Sequence, residues 1–155
     1  MPTEPHIYVD ADACPVKAEV AKVAERHGLA VTYVANAWMQ TPRAPRVRMQ
    51  VVAGQFDAAD DWIAGQAQPA DVVITADIPL ASRCLKAGAR VLGPSGKPFT
   101  DDNIGNALAT RELMADLRAY GVGGGPPPFS PRDRSRFLEA LERVVRDARQ
   151  ARASS

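Results

Sequence analysis

Aspartates recur where a parallel sheet would collect them. Asp10 and Asp12 follow the β-prone run His6–Val9, and Asp57, Asp60 and Asp61 follow a run around Arg48–Val52. Asp77 closes Ile74-Thr75-Ala76-Asp77, and Asp101 and Asp102 lie beyond Arg90-Val91-Leu92. In an open parallel sheet, ligands bind beyond the C-terminal strand ends, so carboxylates far apart in sequence are expected on one rim. Two of them about 5 Å apart repel by roughly 3 kcal/mol at an effective dielectric near 20, and a cluster of three or four therefore demands a cation. Oxygen donors with neither His nor paired Cys suit Mg²⁺ or Mn²⁺ rather than zinc. Such ions engage phosphates, which points to metal-assisted phosphodiester hydrolysis. Asp10 and Asp77 are the expected metal anchors. Asp12, Asp57 or Asp61 would complete the shell or position the attacking water.

Other residues offer two readings each. Lys17, one turn into the first helix, can meet a substrate phosphate or simply stand solvated. Arg43, Arg46 and Arg48 form a basic loop that can grip a nucleic-acid backbone, or are exposed charges without consequence. Asp12, Asp57 and Asp101 taken singly also suit helix caps or turns. Asp60, Asp71 and Asp116 read as solvated surface. Cys14 begins a helix, where the dipole lowers a thiol pKa, but no His is near it in sequence and it reads as inert. His6 and His27 read as an edge residue and a helix-end residue rather than ligands.

The elements that must position these groups alternate. Residues 6–9 and 29–35 are expected strands, with a helix between them that starts near Pro15 and stops at Gly28. Its apolar face runs Val16, Val20, Val23, Ala24 and His27. A polar loop with Pro42 and Pro45 leads to a third strand around Arg48–Val52. Asp57–Ala67 reads as a helix with Trp62 and Ile63 turned inward. Residues 71–75 form a fourth, buried strand, Pro79–Ala87 a helix, and residues 90–92 a fifth strand. Asp101 or Asp102 is expected to cap a helix running to about Tyr120. This alternation predicts a three-layer α/β/α sandwich around a mainly parallel sheet of about five strands.

Residues 1–120 form the predicted body of a single domain, and 121–129 a Gly/Pro linker. Residues 130–152 form a helix striped by Phe137, Leu141, Val144, Val145 and Ala148, which must dock on the body or on another subunit. Monomer and homodimer both remain open.

The 155 residues are 46% hydrophobic and 24% charged, an ordinary composition for one globular domain. No apolar run approaches the roughly 18 residues needed to cross a bilayer, and the N-terminus does not read as a signal peptide. Two cysteines are too few for a disulfide scaffold, and the expected location is cytoplasmic. The net charge of +1 creates no global attraction for nucleic acid. From Arg132 onward, however, seven arginines face four acids, so an acidic-leaning body carries a basic tail.

Four segments together resemble the YaiI/YqxD family: Tyr8–Lys17 (YVDADACPVK), Gly54–Ile63 (GQFDAADDWI), Asp71–Ala81 (DVVITADIPLA) and Gly124–Leu138 (GGPPPFSPRDRSRFL). The resemblance implies a fold similar to PIN and NYN domains, which are Mg²⁺ or Mn²⁺ nucleases often acting on RNA. Asp10 then matches the first-strand acid, and Asp77 in Thr75-x-Asp77 matches the acid after strand four. Asp57 and Asp61 resemble paired acids of NYN domains, and Asp101 or Asp102 corresponds to the fourth acid of PIN domains. Arg132, Arg134 and Arg136 would cover the acidic rim and bind substrate phosphates, or be solvated on a docking helix.

The leading expectation is thus a divalent-metal nuclease acting on RNA, with Asp10, Asp12, Asp57, Asp61 and Asp77 catalytic. Metal ligands are drawn from Asp10, Asp12, Asp77 and Asp101, and substrate contacts from Lys17, Thr75 and Arg134. A haloacid-dehalogenase-type phosphatase is the second reading, with Asp10 as nucleophile, Asp12 as acid/base, Thr75 on phosphate and Asp101/Asp102 on magnesium. A non-catalytic RNA- or protein-binding domain is the third.

Overall fold

In a computed structural model, residues 4–55, 57–121 and 128–154 are described. Among them the order is β1 (Ile7–Asp10), α1 (Lys17–His27), β2 (Val31–Ala35), β3 (Val47–Val51), α2 (Ala58–Gln66), β4 (Val72–Ile74), α3 (Ile78–Lys86), β5 (Arg90–Leu92), β6 (Pro98–Phe99), α4 (Ile104–Ala119) and α5 (Pro131–Ala153). The strands form one sheet in the order β3-β2-β1-β4-β5-β6. The first five are parallel, and β6 runs antiparallel to β5.

Central strands β2 and β4 are buried throughout, as their Val- and Ile-rich sequences require between two helical layers. On one face, Val20, Val23 and Ala24 of α1 and Phe137, Leu141 and Val145 of α5 pack with Ile7, Val31, Ile74 and Leu92. On the other, Ala59 and Ile63 of α2 and Leu80, Ala81 and Cys84 of α3 pack with Tyr8, Val34, Val73 and Val91. The result is a three-layer α/β/α sandwich. Helix α4 leans on α3 from outside and buries none of its residues. No helix among the described residues is long and apolar enough to cross a membrane.

The stripe on α5 docks on its own chain. Pro131 opens this helix, and Ser130 and Asp133 form a reciprocal capping box. Contacts then run up the α1–α5 seam in register: Arg134 pairs with Glu19, and Glu142 pairs with Arg26 at 2.6 Å and hydrogen-bonds His27 at 2.9 Å, while Arg149 pairs with Glu4, ahead of β1, at 3.0 Å. The two helices are therefore parallel, and both begin at the C-terminal edge of the sheet. The expected linker at 121–129 lies mostly outside the described residues.

Two expectations, for Asp71 and for the cap of α4, need correction. Asp71 is not solvated: it is 4% exposed and accepts from the amides of His6 and Gln68, both at 3.0 Å, and from Arg152 at 2.7 Å. Burial is tolerated because the carboxylate is both paired and hydrogen-bonded. The sheet also has a sixth strand. Gly93 donates to the Lys97 carbonyl at 2.9 Å, Gly96 turns at φ +91°, and β6 sends the chain back down the sheet. Neither Asp101 nor Asp102 caps α4. Asn103 holds that position, exchanging hydrogen bonds with Thr100 at 2.9 and 3.2 Å.

Candidate functional site

Strand order reverses between β1 and β4: the chain proceeds from β1 outward to β3, then returns to place β4 on the other side. That switch point leaves a crevice at the C-terminal edge. Asp10 ends β1, and Asp77 follows β4 to cap α3, accepting the Leu80 amide on Oδ1 at 2.9 Å. Between them stands Thr75, 1% exposed. Its hydroxyl donates to Asp10 Oδ2 at 2.8 Å and accepts the Asp77 amide at 2.9 Å. One carboxylate oxygen of each acid is thus committed. Among the described residues the second oxygen of each accepts no hydrogen bond.

More carboxylates face this pair. Burial raises the pKa of Asp10 and the charges of Asp77 and Asp12 raise it further, while the Thr75 hydroxyl opposes them. Asp60 is pushed up to about 6, first by burial and then by the charges of Asp77, Asp10, Asp57 and Asp61. Asp10 thus feels Asp12 and Asp77, and Asp10 and Asp77 are linked through Asp60 to Asp57 and Asp61 in one electrostatic neighbourhood. Asp60 belongs to it too, where solvated surface was expected. The missed signal was spacing: Asp57, Asp60 and Asp61 lie three and four residues apart, which puts them on one side of a helix.

The individual roles divide differently from the expectation. Asp57 occupies the N-cap position of α2 without making a capping hydrogen bond. Asp12 accepts the Asn36 amide at 3.2 Å, which ties the end of β2 to the rim. Asp61 pairs with Arg83 at 2.7 Å. Asp101 does not join the rim. Because β6 is antiparallel, the chain beyond it descends, and Asp101 lines a cleft with Gly88, Ala89 and Arg90 at the opposite end of β5. Asp102 lies next to it in sequence, so the magnesium acids of the phosphatase reading are not beside Asp10.

Lys17 sits at the rim end of α1, with Nζ donating to the Cys14 carbonyl at 2.8 Å. Arg134 stands at the matching end of α5, held by Glu19 and placed 5.2 Å over the Phe129 ring. Cys14 is buried, and burial raises its thiol pKa, opposite to the dipole effect. The inert reading fits. Among the described residues no three carboxylate, imidazole or thiol groups stand close enough to ligate one ion. A closed cage is therefore absent there. Two carboxylates with one spare oxygen each still suit a hydrated hard cation, which keeps several waters and takes one or two protein carboxylates.

A family model described as "Uncharacterized BCR, YaiI/YqxD family" matches residues 8–147. The chain is 58% identical over 154 residues to a UPF0178 protein of Rhodopseudomonas palustris (strain BisB5), covering 99% of this chain and 94% of the relative. A UPF0178 protein of Nitrobacter winogradskyi is 56% identical over 149 residues, 96% of this chain and 95% of its own. No solved structure matches.

Proposed function

The chain belongs to the YaiI/YqxD family, and from that premise we propose that it is a divalent-metal-dependent nuclease hydrolysing phosphodiester bonds in RNA. The observation that carries this reading is the Asp10–Thr75–Asp77 relay across the switch point, surrounded by acids whose charges add to the raised pKa of Asp10 and Asp60. Such a cluster stores repulsion that a bound cation removes.

Asp10 and Asp77 would hold Mg²⁺ or Mn²⁺ through their spare oxygens. The ion would supply charge neutralisation at the phosphate and acidify a water. Thr75 fixes the Asp10 carboxylate so that its free oxygen faces the crevice. Asp60, which feels the charges of Asp77, Asp10 and Asp57, would together with Asp57 orient the attacking water and take its proton. The water oxygen bonds to phosphorus, the bond to the leaving sugar oxygen breaks, and that oxygen takes up a proton. The products are a phosphate monoester and a free hydroxyl. Lys17 and Arg134, at the rim ends of α1 and α5, are the cations placed to meet neighbouring phosphates. We place this activity in the cytoplasm, where the buried thiols of Cys14 and Cys84 stay reduced.

Calorimetric titration with Mn²⁺ and Mg²⁺ tests the site first. The Asp77→Asn change keeps a capping side chain on α3, so it removes charge and not the helix start. Saturable binding by the native chain, lost in Asp10→Asn/Asp77→Asn, is expected. Mn²⁺-dependent RNA cleavage should disappear in the same variant. Cleavage that persists in that variant overturns the reading.

A further inference from the structure

One connection and the strand it enters carry an exposed aromatic ring and three exposed cations. The segment 36–46 leaves β2 at the rim and descends to the start of β3, where the Arg46 carbonyl accepts the Val31 amide at 2.9 Å. Trp38, near its top, is 74% exposed. The ring contacts among the described residues involve His6, Tyr8, Trp62 and Phe129, not Trp38. Its position is nonetheless fixed on both sides. The Ala35 carbonyl accepts the Val52 amide at 2.9 Å and the Asn36 amide is held by Asp12 at 3.2 Å. Beyond the ring, Met39 packs against the core. The indole is thus presented to solvent by a chain pinned before and after it. Further down, Arg43, Arg46 and Arg48 are all exposed, and none is in an ion pair among the described residues.

We propose that the 36–48 segment is a binding track for single-stranded nucleic acid, with Trp38 stacking an unpaired base beside the rim and the three arginines holding phosphates along the β3 flank. The proposal rests on reading the rim as a phosphodiester site and adds the form of strand that reaches it. A planar ring accepts any base because every base has a π-face, whereas a base inside a duplex already has both faces covered. Two residues of chain span at most about 7 Å, so Trp38 stays close to Asn36 and hence to Asp12. Five-residue β3 extends about 17 Å, enough for several phosphates to lie along it. An exposed aromatic followed by solvent-facing cations on one segment is the composition such tracks use.

The test is anisotropy titration of a fluorescein-labelled oligouridylate, with Ca²⁺ as the only divalent ion. Trp38→Ala should weaken binding about 5- to 100-fold without changing the slope of log affinity against log salt. Arg43→Ala/Arg46→Ala/Arg48→Ala should reduce that slope by about 2. With Trp62→Phe leaving Trp38 as the sole tryptophan, the oligouridylate should quench the remaining fluorescence, and a duplex should not. Native-like binding by Trp38→Ala, equal quenching by duplex, or no binding by the native chain would each overturn the track. So would a dimer that Trp38→Ala converts to monomer, because the ring would then belong to a contact between copies. Should the native chain cleave in Mn²⁺ while Trp38→Ala binds and cleaves equally well, the track falls and the rim reading stands. Binding through Trp38 with no cleavage sinks the rim reading and leaves the track.

Discussion

Thr75 Oγ1 donates to Asp10 Oδ2 at 2.8 Å while accepting the Asp77 amide at 2.9 Å, so one buried hydroxyl couples the acid that ends β1 to the segment that follows β4. Neither acid reaches the crevice independently of the other.

Replacing Thr75 with Val keeps the shape and removes the hydroxyl. The Asp77 amide and one Asp10 oxygen then lose a partner in a buried place, at a cost of about 1–3 kcal/mol. Thermal melting should fall by about 3–10 °C for a chain of this size, and Thr75→Ser should recover most of it. The Asp10 pKa should also rise, because this hydrogen bond is what opposes burial; carboxylate NMR titration would show it.

Asp60 gives a pH signature. Its pKa in the fold, about 6 against an ordinary 3.8, means that the folded state binds more protons between those values, and stability falls as pH rises through them. Asp60→Asn should therefore stabilise the chain at pH 7 and lose that advantage at pH 4. Since the group is only partly buried, the gain at pH 7 should be about 1 kcal/mol or less. Paired melts at the two pH values check it, and an equal gain at both would rule out the raised pKa, set by burial and then by the neighbouring charges, as the cause.

The Arg152–Asp71 pair fastens the end of α5 to the start of β4. Both side chains are largely buried, 13% and 5% exposed, so deleting one partner of the pair should cost about 3–5 kcal/mol. Urea midpoints of Arg152→Ala and Asp71→Ala should fall steeply. Changing both to apolar residues should cost less than the two single changes added together.

Gly96 brings the β5–β6 turn against the backbone of α5. A Cβ there would stand 2.7 Å from the Arg136 carbonyl carbon, at a backbone φ of +91°. Gly96→Ala should cost about 2 kcal/mol or more. Hydrogen exchange should quicken first in the opening turns of α5, and a uniform change across the sheet would contradict that placement.

Local signals carried most of the framework. The β-branched runs at Val31–Ala35 and Val72–Ile74, the stripe Val20-Val23-Ala24, and Gly28 as a left-handed stop all act within a few residues, and each appears where the pattern places it. What was illegible depends on distant partners. Asp71 looks like any charge at a strand start, because the arginine that buries it lies 81 positions away. Two-residue β6 has no periodicity to read, yet its direction decides that Asp101 faces away from Asp10. The Asp10–Asp77 pairing was legible because it needs only strand adjacency. The Thr75 relay was not, because it depends on a side-chain rotamer.

Helix α5 is synthesised after every strand of the sheet, yet Phe137, Leu141 and Val145 complete the cluster containing Ile74 and Leu92. Until those residues leave the ribosome, one half of a sheet face has no cover, and the strands that carry the acids lack a closed core. Folding of the body is therefore tied to the emergence of α5 rather than proceeding as β1 to β5 emerge. A ribosome-bound chain stalled at residue 130 should remain protease-sensitive throughout β4 and β5. Release of the remaining residues should confer resistance in one step.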